Sequence, residues 1–115
     1  MKTETLIKIA RQFSKEPAGR YTRDGPNSGE RFRDEILIPA FERSNSVTVD
    51  LDGTEGYGSS FLEEAFGGLV RLRGYTADEL RKVLKLVSEE DESLPIEIWD
   101  YIDSAKPGGA RRRRA

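Results

Sequence analysis

The feature that most constrains the fold is a strand, a glycine-rich loop and a helix that follow one another between residues 47 and 72. In residues 47–51 apolar and polar side chains alternate, which predicts a β-strand with one buried face. Residues 52–58 contain three glycines and predict a loop. Apolar residues then recur at helical spacing, at Leu62, Ala65, Phe66, Leu69 and Val70. A strand buried on both faces would be apolar throughout, so the alternation favours a sheet with helices mainly on one face.

Two short motifs predict where helices begin. Ser60-x-x-Glu63 and Thr76-x-x-Glu79 both fit a capping box, in which a hydroxyl and a carboxylate each bind an amide at the helix end. Inside the first of these helices the pair at residues 67–68 is Gly-Gly, which costs about 1 kcal/mol per glycine relative to alanine. We therefore expect close packing against a neighbour at that point.

Weaker patterns predict the remaining elements. Residues 5–13 alternate and favour an edge strand, residues 19–22 favour a short second strand, and residues 30–43 favour a helix. Pro39 should kink or interrupt that helix because it has no amide to donate. Residues 83–88 fit either a strand or the continuation of one long helix, and we favour a strand because residues 47–51 need a parallel partner. A final helix should begin at Ser93 as its cap, with Pro95 in its first turn and with Ile98, Trp99 and Ile102 facing the core.

Together these patterns predict one α/β domain over residues 1–105. Its sheet should have about four strands in mixed orientation, with three or four helices mainly on one face. Residues 106–115 form an arginine-rich segment that we expect to be disordered.

The composition excludes several kinds of site. The 115 residues include no cysteine and no histidine, so disulfides, zinc–thiolate sites, thiol nucleophiles and imidazole bases are absent. The 19 basic and 21 acidic residues nearly cancel, which gives no overall reason to expect nucleic acid or an anionic membrane as partner. No stretch approaches the roughly 20 apolar residues of a membrane span. We expect a cytoplasmic protein, without a cofactor or bound metal, that acts by binding a protein partner and not as an enzyme.

The segment 47–72 resembles the central part of STAS domains, named for sulfate transporters and anti-sigma-factor antagonists. Those domains have a strand of the type V-x-D-L and then D-S-S-G-L at a helix start. Here Asp50-Leu51 is followed by Gly-Ser-Ser-Phe-Leu at residues 58–62. The longer strings at 19–30 and 57–69 are similar to a bacterial STAS-like family of unassigned function. That likeness extends over about residues 5–105 and implies a STAS-like fold.

In anti-sigma-factor antagonists a partner kinase phosphorylates the first serine of the pair. The resemblance therefore makes Ser59, with Ser60 beside it, the candidate phospho-acceptor. It also implies a histidine-kinase-like ATPase or an anti-sigma factor as partner. Gly58 replaces the aspartate of the motif, which removes part of the kinase recognition, and Phe61 replaces its glycine. The alternative is that both serines only cap the helix.

Further candidate sites lie around this segment. The predicted partner-binding surface consists of Gly53, Thr54, Glu55, Gly56, Tyr57, Gly58, Glu63 and Glu64. A candidate anion site consists of Arg20, Arg23 and Ser28, near a helix start that could bind a phosphate. Asp50 and Asp52, with Glu55, could hold Mg²⁺ or act as an acid/base pair, so a ligand-binding or enzymatic module that uses Asp50, Asp52 and Arg20 is the alternative function. The arginines at 111–114 could contact nucleic acid, although such runs are more often simply solvated.

Overall fold

A computed structural model describes residues 3–108 and shows a three-stranded parallel sheet with helices packed against it. The strands are β1 (Glu4–Lys8), β2 (Ser46–Asp50) and β3 (Leu84–Val87). They lie side by side in chain order, so β2 is central and β1 is an edge strand, as predicted. The register pairs Ile7 with Val49 and Val47 with Leu84.

Five helices connect and follow the strands. They are α1 (Ile9–Gln12), α2 (residues 29–43), α3 (residues 59–73), α4 (Ala77–Val83) and α5 (Ser93–Ser104). A 3₁₀ turn, Thr22–Asp24, lies in the connection between α1 and α2. No helix within residues 3–108 is long and apolar enough to cross a membrane.

The sheet buries one face and leaves the other open, which confirms the prediction from the alternating strand. Ile7, Val47 and Val49 point to the helices and are at most 2% exposed. On the opposite face Leu6 is 51% exposed and Val87 is 39% exposed. Each strand is added on the same side of the preceding one, and crossovers between parallel strands are right-handed. All the crossover helices therefore lie on one face of the sheet.

The expected fourth strand and the mixed orientation are not found in the described sheet. Residues 19–22 do not form a strand, because Gly19 has φ of +93° and the chain then enters the 3₁₀ turn. The strand predicted over residues 5–13 ends at Lys8, where the chain turns directly into α1. By contrast, the strand favoured at residues 83–88 is confirmed as β3, and it is the parallel partner that β2 needed.

Helices α2 and α3 each contain a π turn, a segment in which the hydrogen bond spans five residues and not four. In α2 the π turn is Arg33–Leu37, between the α-helical segments Gly29–Phe32 and Ile38–Arg43. In α3 it is Glu63–Gly67, between Ser59–Leu62 and Gly68–Arg73. The interruption expected at Pro39 thus takes the form of a changed hydrogen-bond pattern in the turn before it, and the helix continues.

Glycines allow these two helices to approach closely. A Cβ atom on Gly29 would overlap the carbonyl oxygen of Phe61, and one on Gly68 would overlap the guanidinium of Arg33. Gly67 gives the same room to the Glu63 side chain. The close packing predicted for Gly67 and Gly68 is therefore confirmed.

Aromatic rings fill the core between the sheet and the long helices. Phe32, Phe61 and Phe66 are fully buried, and the Phe32 and Phe61 ring centroids lie 5.8 Å apart. In α5, Ile98 and Ile102 are buried and Trp99 packs partly against the core, as predicted.

The start of α5 differs from the prediction. Ser93 is its first residue and not its cap, because the carboxylate of Asp91 accepts both the amide and the hydroxyl of Ser93. At the other end of the described chain, the Gly108 amide donates to the Arg71 carbonyl at 2.9 Å. The predicted disorder of the tail concerns residues 106–115, of which 109–115 lie outside the described residues.

Gly29→Ala should lower the free energy of unfolding by about 2–3 kcal/mol, because the new methyl group meets a backbone oxygen that cannot move without shifting α3. Gly58→Ala is the matched control, since no atom lies within 4 Å of a Cβ there and φ is −77°. Its free energy of unfolding should change by less than about 1 kcal/mol. Urea denaturation measures both, and equal effects of the two substitutions would contradict the close approach at Gly29.

Candidate functional site

Ser59 and Ser60 lie exposed at the N-terminal end of α3. The helix begins at Ser59, one residue earlier than predicted, so Gly58 is the N-cap and supplies no side-chain hydrogen bond. The capping box predicted at Ser60 and Glu63 is therefore wrong, because Ser60 already lies inside the helix. Phe61, which replaces the glycine of the STAS motif, is fully buried and anchors this end of α3 in the aromatic core.

A cavity of about 580 Å³ opens beside the two serines. Residues of the Gly19–Asp24 segment line one side of it, with Arg20 and Arg23 among them, and residues 58–60 line the other. The Arg23 guanidinium stacks over the Tyr21 ring at 4.6 Å. Of the predicted anion site, only Arg20 and Arg23 lie at this cavity.

Ser28, the third member of that predicted set, has a structural role. It is fully buried, and its hydroxyl accepts the Arg31 amide at 3.2 Å as the N-cap of α2. Its side chain therefore does not line the cavity with the two arginines.

Tyr101 of α5 lies next to Ser59. Its hydroxyl donates to Glu97 at 2.6 Å, and this bond raises the pKa of Tyr101. The interaction with the Ser59 hydroxyl acts to lower that pKa, but it is the smaller effect. Ser59 is thus positioned between the arginine-lined cavity and the Glu97 carboxylate. A charge placed on Ser59 would meet Arg20, Arg23 and the Asp24 carboxylate on the cavity side, and Glu97 beyond Tyr101.

Arg33 and Glu64 form a buried ion pair between the two π turns. Both residues are 2% exposed, and Arg33 Nη1 lies 2.6 Å from Glu64 Oε2 and 3.1 Å from the Glu64 carbonyl oxygen. Arg33 also binds Asp34 through Nε at 2.9 Å. A buried charge is tolerated only when it is paired and hydrogen-bonded, and this geometry meets both conditions.

Arg20 and Arg71 extend this pair into a network on the molecular surface. Arg20 Nη1 lies 2.5 Å from Glu63 Oε1 and 3.2 Å from Glu64 Oε1, and Arg71 contacts the same two carboxylates at 2.6 and 3.1 Å. Partial burial acts to raise the pKa of Glu63, but hydrogen bonds from Arg71 and Arg20 outweigh it and hold that pKa below its ordinary value. We call these residues (Arg20, Arg33, Glu63, Glu64 and Arg71) the arginine–glutamate network.

The network changes what two predicted site residues can do. Glu64 lies in the core, so its side chain is not part of an exposed partner-binding surface. Glu63 is half-buried, and both of its carboxylate oxygens are bound to arginines. Both glutamates therefore help to position α3. The rest of the predicted surface is the loop at residues 53–58, in which Gly53, Glu55, Gly56 and Gly58 are exposed and Thr54 and Tyr57 are half-buried.

Internal hydrogen bonds hold this loop in place. The Gly53 amide donates to Glu90 at 3.0 Å, the Glu55 amide donates to the Lys15 carbonyl at 2.8 Å, and the Tyr57 hydroxyl donates to the Leu51 carbonyl at 2.7 Å. Gly53 and Gly56 both have positive φ, which favours glycine at these positions. Burial, with the nearby carboxylates, raises the pKa of Tyr57 to about 12, so its hydroxyl remains a donor at neutral pH.

The carboxylates proposed for Mg²⁺ are used in other ways. Asp52 accepts the amides of Glu90 and Glu89 at 3.0 Å, and these bonds hold the pKa of Asp52 below its ordinary value. Asp50 accepts the Asp52 amide and lies 3.9 Å from Lys8 Nζ. No group of three or more carboxylates placed to hold a metal ion occurs within the described range 3–108.

The Arg33–Glu64 pair was not predicted from the sequence, although the position of each residue within an apolar helical pattern indicates burial. Arg33 is four residues from Gly29 and four from Leu37, which places it on the buried stripe of α2. Glu64 is three residues from Phe61 and four from Gly68, which places it on the buried stripe of α3. Charged residues within an apolar stripe on two consecutive helices are the pattern that could have predicted the pair.

Arg33→Ala and Glu64→Ala should each lower the free energy of unfolding by about 3 kcal/mol, because each removes one partner of a buried ion pair and leaves a buried polar atom of the other without its charge-assisted hydrogen bond. The double variant Arg33→Met/Glu64→Leu, which fills the space with apolar atoms, should lose much less. Glu35, which forms an exposed ion pair with Arg31, is the matched control, and Glu35→Ala should cost less than about 0.5 kcal/mol. Urea denaturation of this series would refute the assignment if Glu64→Ala cost no more than Glu35→Ala.

Gly58→Asp should raise the free energy of unfolding by about 0.5–1 kcal/mol. Aspartate at the N-cap can accept an amide of the first turn of α3, an interaction that Gly58 does not make, and its charge suits the helix dipole. Gly58→Asn separates the two contributions, because asparagine caps without the charge. If Gly58→Asp were no more stable to urea than Gly58→Ala, the α3 terminus would not be open to capping.

The sequence model of a family described as a STAS-like domain of unknown function (DUF4325) matches residues 28–94, more than half of the chain. The matched range includes β2, the loop at 53–58, the two serines, α4 and β3. Searches of curated proteins and of solved structures give no match. The chain therefore belongs to the family of STAS-like domains of unknown function, which confirms the resemblance seen at residues 47–72.

Proposed function

We propose that this STAS-like domain is a regulatory protein–protein interaction module. Its docking surface consists of the loop at residues 53–58 together with Ser59 and Ser60. The observation that carries the proposal is that both serines are exposed on an uncapped helix terminus, directly after a loop that internal hydrogen bonds hold in one conformation. A surface that is ordered before binding loses less conformational entropy when the partner binds.

Phosphorylation of Ser59 is the proposed switch on this surface. A phosphate adds a charge of about −1.5 to −2 at pH 7. It would lie between Arg20 and Arg23 in the cavity and Glu97 on α5. Attraction to Arg20 competes with the bond from Arg20 to Glu63, so the modification alters both the charge of the docking surface and the arginine–glutamate network.

The proposed partner is a histidine-kinase-like ATPase or an anti-sigma factor, and this part rests on the family resemblance. Gly58 weakens the analogy, since the carboxylate next to the acceptor serine in the antagonist motif is missing. A kinase acting here would have to recognise the loop at 53–58, in which Glu55 is an exposed carboxylate.

The alternative, a ligand-binding or enzymatic module that uses Asp50, Asp52 and Arg20, has less support. Asp52 is bound to backbone amides and Arg20 is bound to two glutamates. These groups are separately engaged and do not converge on a common cavity.

Pull-down from the native cell with Ser59→Ala and Ser59→Asp proteins as baits tests the switch. We expect a specific partner bound to Ser59→Ala and at least about tenfold less of it bound to Ser59→Asp, the loss that about 1.4 kcal/mol produces. Asn45→Asp, at an exposed position before β2 and so at the opposite end of that strand from the loop at 53–58, is the charge-matched control and should behave like the unmodified chain.

Intact mass of the native protein before and after phosphatase treatment tests the modification itself. We expect a species heavier by one phosphate that disappears on treatment. Equal partner capture by both Ser59 baits would refute the switch. The absence of any specific partner for all baits would refute the interaction module.

A further inference from the structure

A second concave surface adjoins the docking surface, on the side away from the arginine-lined cavity. It is a groove of about 230 Å³ between the loop at 52–58 and the start of α5, at the C-terminal ends of β2 and β3. Leu51, Tyr57 and Leu94 form its apolar part. Ligand pockets for drug-sized molecules usually exceed about 300 Å³, so this groove has the size for a single side chain.

Four carboxylates surround this apolar part: Asp52, Glu90, Asp91 and Glu97. Their hydrogen bonds within the described residues come from neutral donors, such as the Gly53 amide to Glu90 and the Tyr101 hydroxyl to Glu97. Within residues 3–108 none of the four forms an ion pair with a lysine or arginine. We call this surface, with its apolar part and its four carboxylates, the acidic groove.

Six carboxylates outside the groove, by contrast, form ion pairs with basic residues within the described range. Asp34, Glu63 and Glu64 bind arginines in and around the network, and Asp103 binds Arg81 at 2.7 Å. The sequence has no lysine or arginine between Lys85 and Lys106, the segment that contributes half of the groove residues and three of its four carboxylates. The charge of the groove is therefore uncompensated, and a concave surface with charge of one sign attracts the opposite charge.

We propose that the acidic groove binds an arginine side chain of the protein partner. The methylene groups of arginine would cover the apolar part, and its planar guanidinium would donate to Glu90 and Glu97 at the rim. This inference rests on the proposed function, because Thr54, Gly56 and Tyr57 belong both to the groove and to the docking surface. It adds the chemistry of the partner, namely a basic segment with an exposed arginine.

The arginines at 111–114 of the same chain are the competing occupant, and their reach depends on where Gly108 lies. The Gly108 amide is bound to the Arg71 carbonyl, near the C-terminal end of α3, whereas Tyr57 precedes its N-terminal end. At 1.5 Å per residue these ends of α3 are roughly 20 Å apart. An extended chain spans roughly 10 Å from Gly108 to Arg111 and roughly 20 Å from Gly108 to Arg114, so peptide binding by a variant with residues 111–114 changed to serine decides between the two occupants.

Titration of the ¹⁵N-labelled full-length chain with the peptide acetyl-Ala-Arg-Ala-amide tests the proposal by NMR. We expect saturable shifts of the Gly53, Tyr57, Glu90 and Leu94 amide signals, and weaker binding as salt is raised. The peptide with citrulline in place of arginine has nearly the same shape without the charge and should cause no saturable shift.

The variant Glu90→Gln/Glu97→Gln should bind the arginine peptide at least about tenfold more weakly, since it loses two charge-assisted hydrogen bonds. Glutamine keeps an acceptor for the Gly53 amide and for the Tyr101 hydroxyl, so the melting temperature should stay unchanged. Glu42→Gln/Asp78→Asn, with the same change in net charge at exposed positions outside the groove, is the control and should bind like the unmodified chain.

Three results would overturn the proposal: equal shifts with the citrulline peptide, equal weakening by the control variant, or tighter peptide binding after all four residues 111–114 are changed to serine. The third result would show that the chain's own arginines occupy the groove.

In the pull-down, undiminished partner capture by Glu90→Gln/Glu97→Gln would refute the groove and leave the interaction module intact. Peptide binding at the groove without any captured partner would refute the interaction module and leave the arginine-binding groove intact.

Discussion

The ion pair between Arg33 and Glu64 is the interaction on which the rest of the structure depends. It lies where the two long helices pack closely, and glycines at 29 and 68 provide the room that it needs. Each partner lies in a π turn, so the backbone of both helices departs from regular geometry where the charges meet. Because Glu64 is fixed there, Glu63 points to Arg20 and Arg71, and the helix terminus with Ser59 and Ser60 has a defined position relative to the arginine-lined cavity.

The parts of the fold that follow from hydrophobic periodicity were predictable from the sequence. The alternation at residues 47–51 predicted the one-sided sheet, and the need for a parallel partner selected a strand at 84–87 over a longer helix. The segments around Gly19 and Ile9 were predicted wrongly, because short alternating runs have the same pattern in a strand and in a turn, and tertiary contacts decide between them. The π turns have no simple sequence pattern, and only Pro39 indicated a disturbance.

The candidate site was predictable as a location but less so in its parts. The loop at 53–58 and the two serines are exposed, as the strand–loop–helix order suggested. Charge alone could not separate Glu55, which is exposed, from Glu64, which is buried. The face of the helix on which a residue lies decides its burial, and the extra residue of a π turn shifts the following residues to a different face. Charged groups of two kinds therefore lie near the N-terminal end of α3. Arginines paired with glutamates lie on one side of it, and the carboxylates of the acidic groove, which have no basic partner within the described residues, lie on the other.

The π turns also bear on how this chain is compared with others of its family. A π turn corresponds to an α-helix into which one residue has been inserted, with the extra residue accommodated by a local bulge. Each residue advances an α-helix by about 100°. A homologue with regular helices would therefore have one residue fewer in each of the two helices. Without a gap at Arg33–Leu37 and at Glu63–Gly67, an alignment that is correct on one side of the π turn would match buried residues to exposed ones on the other side. Equivalent serines at the start of α3 are identified correctly only when that gap is placed inside the helix and not in the preceding loop.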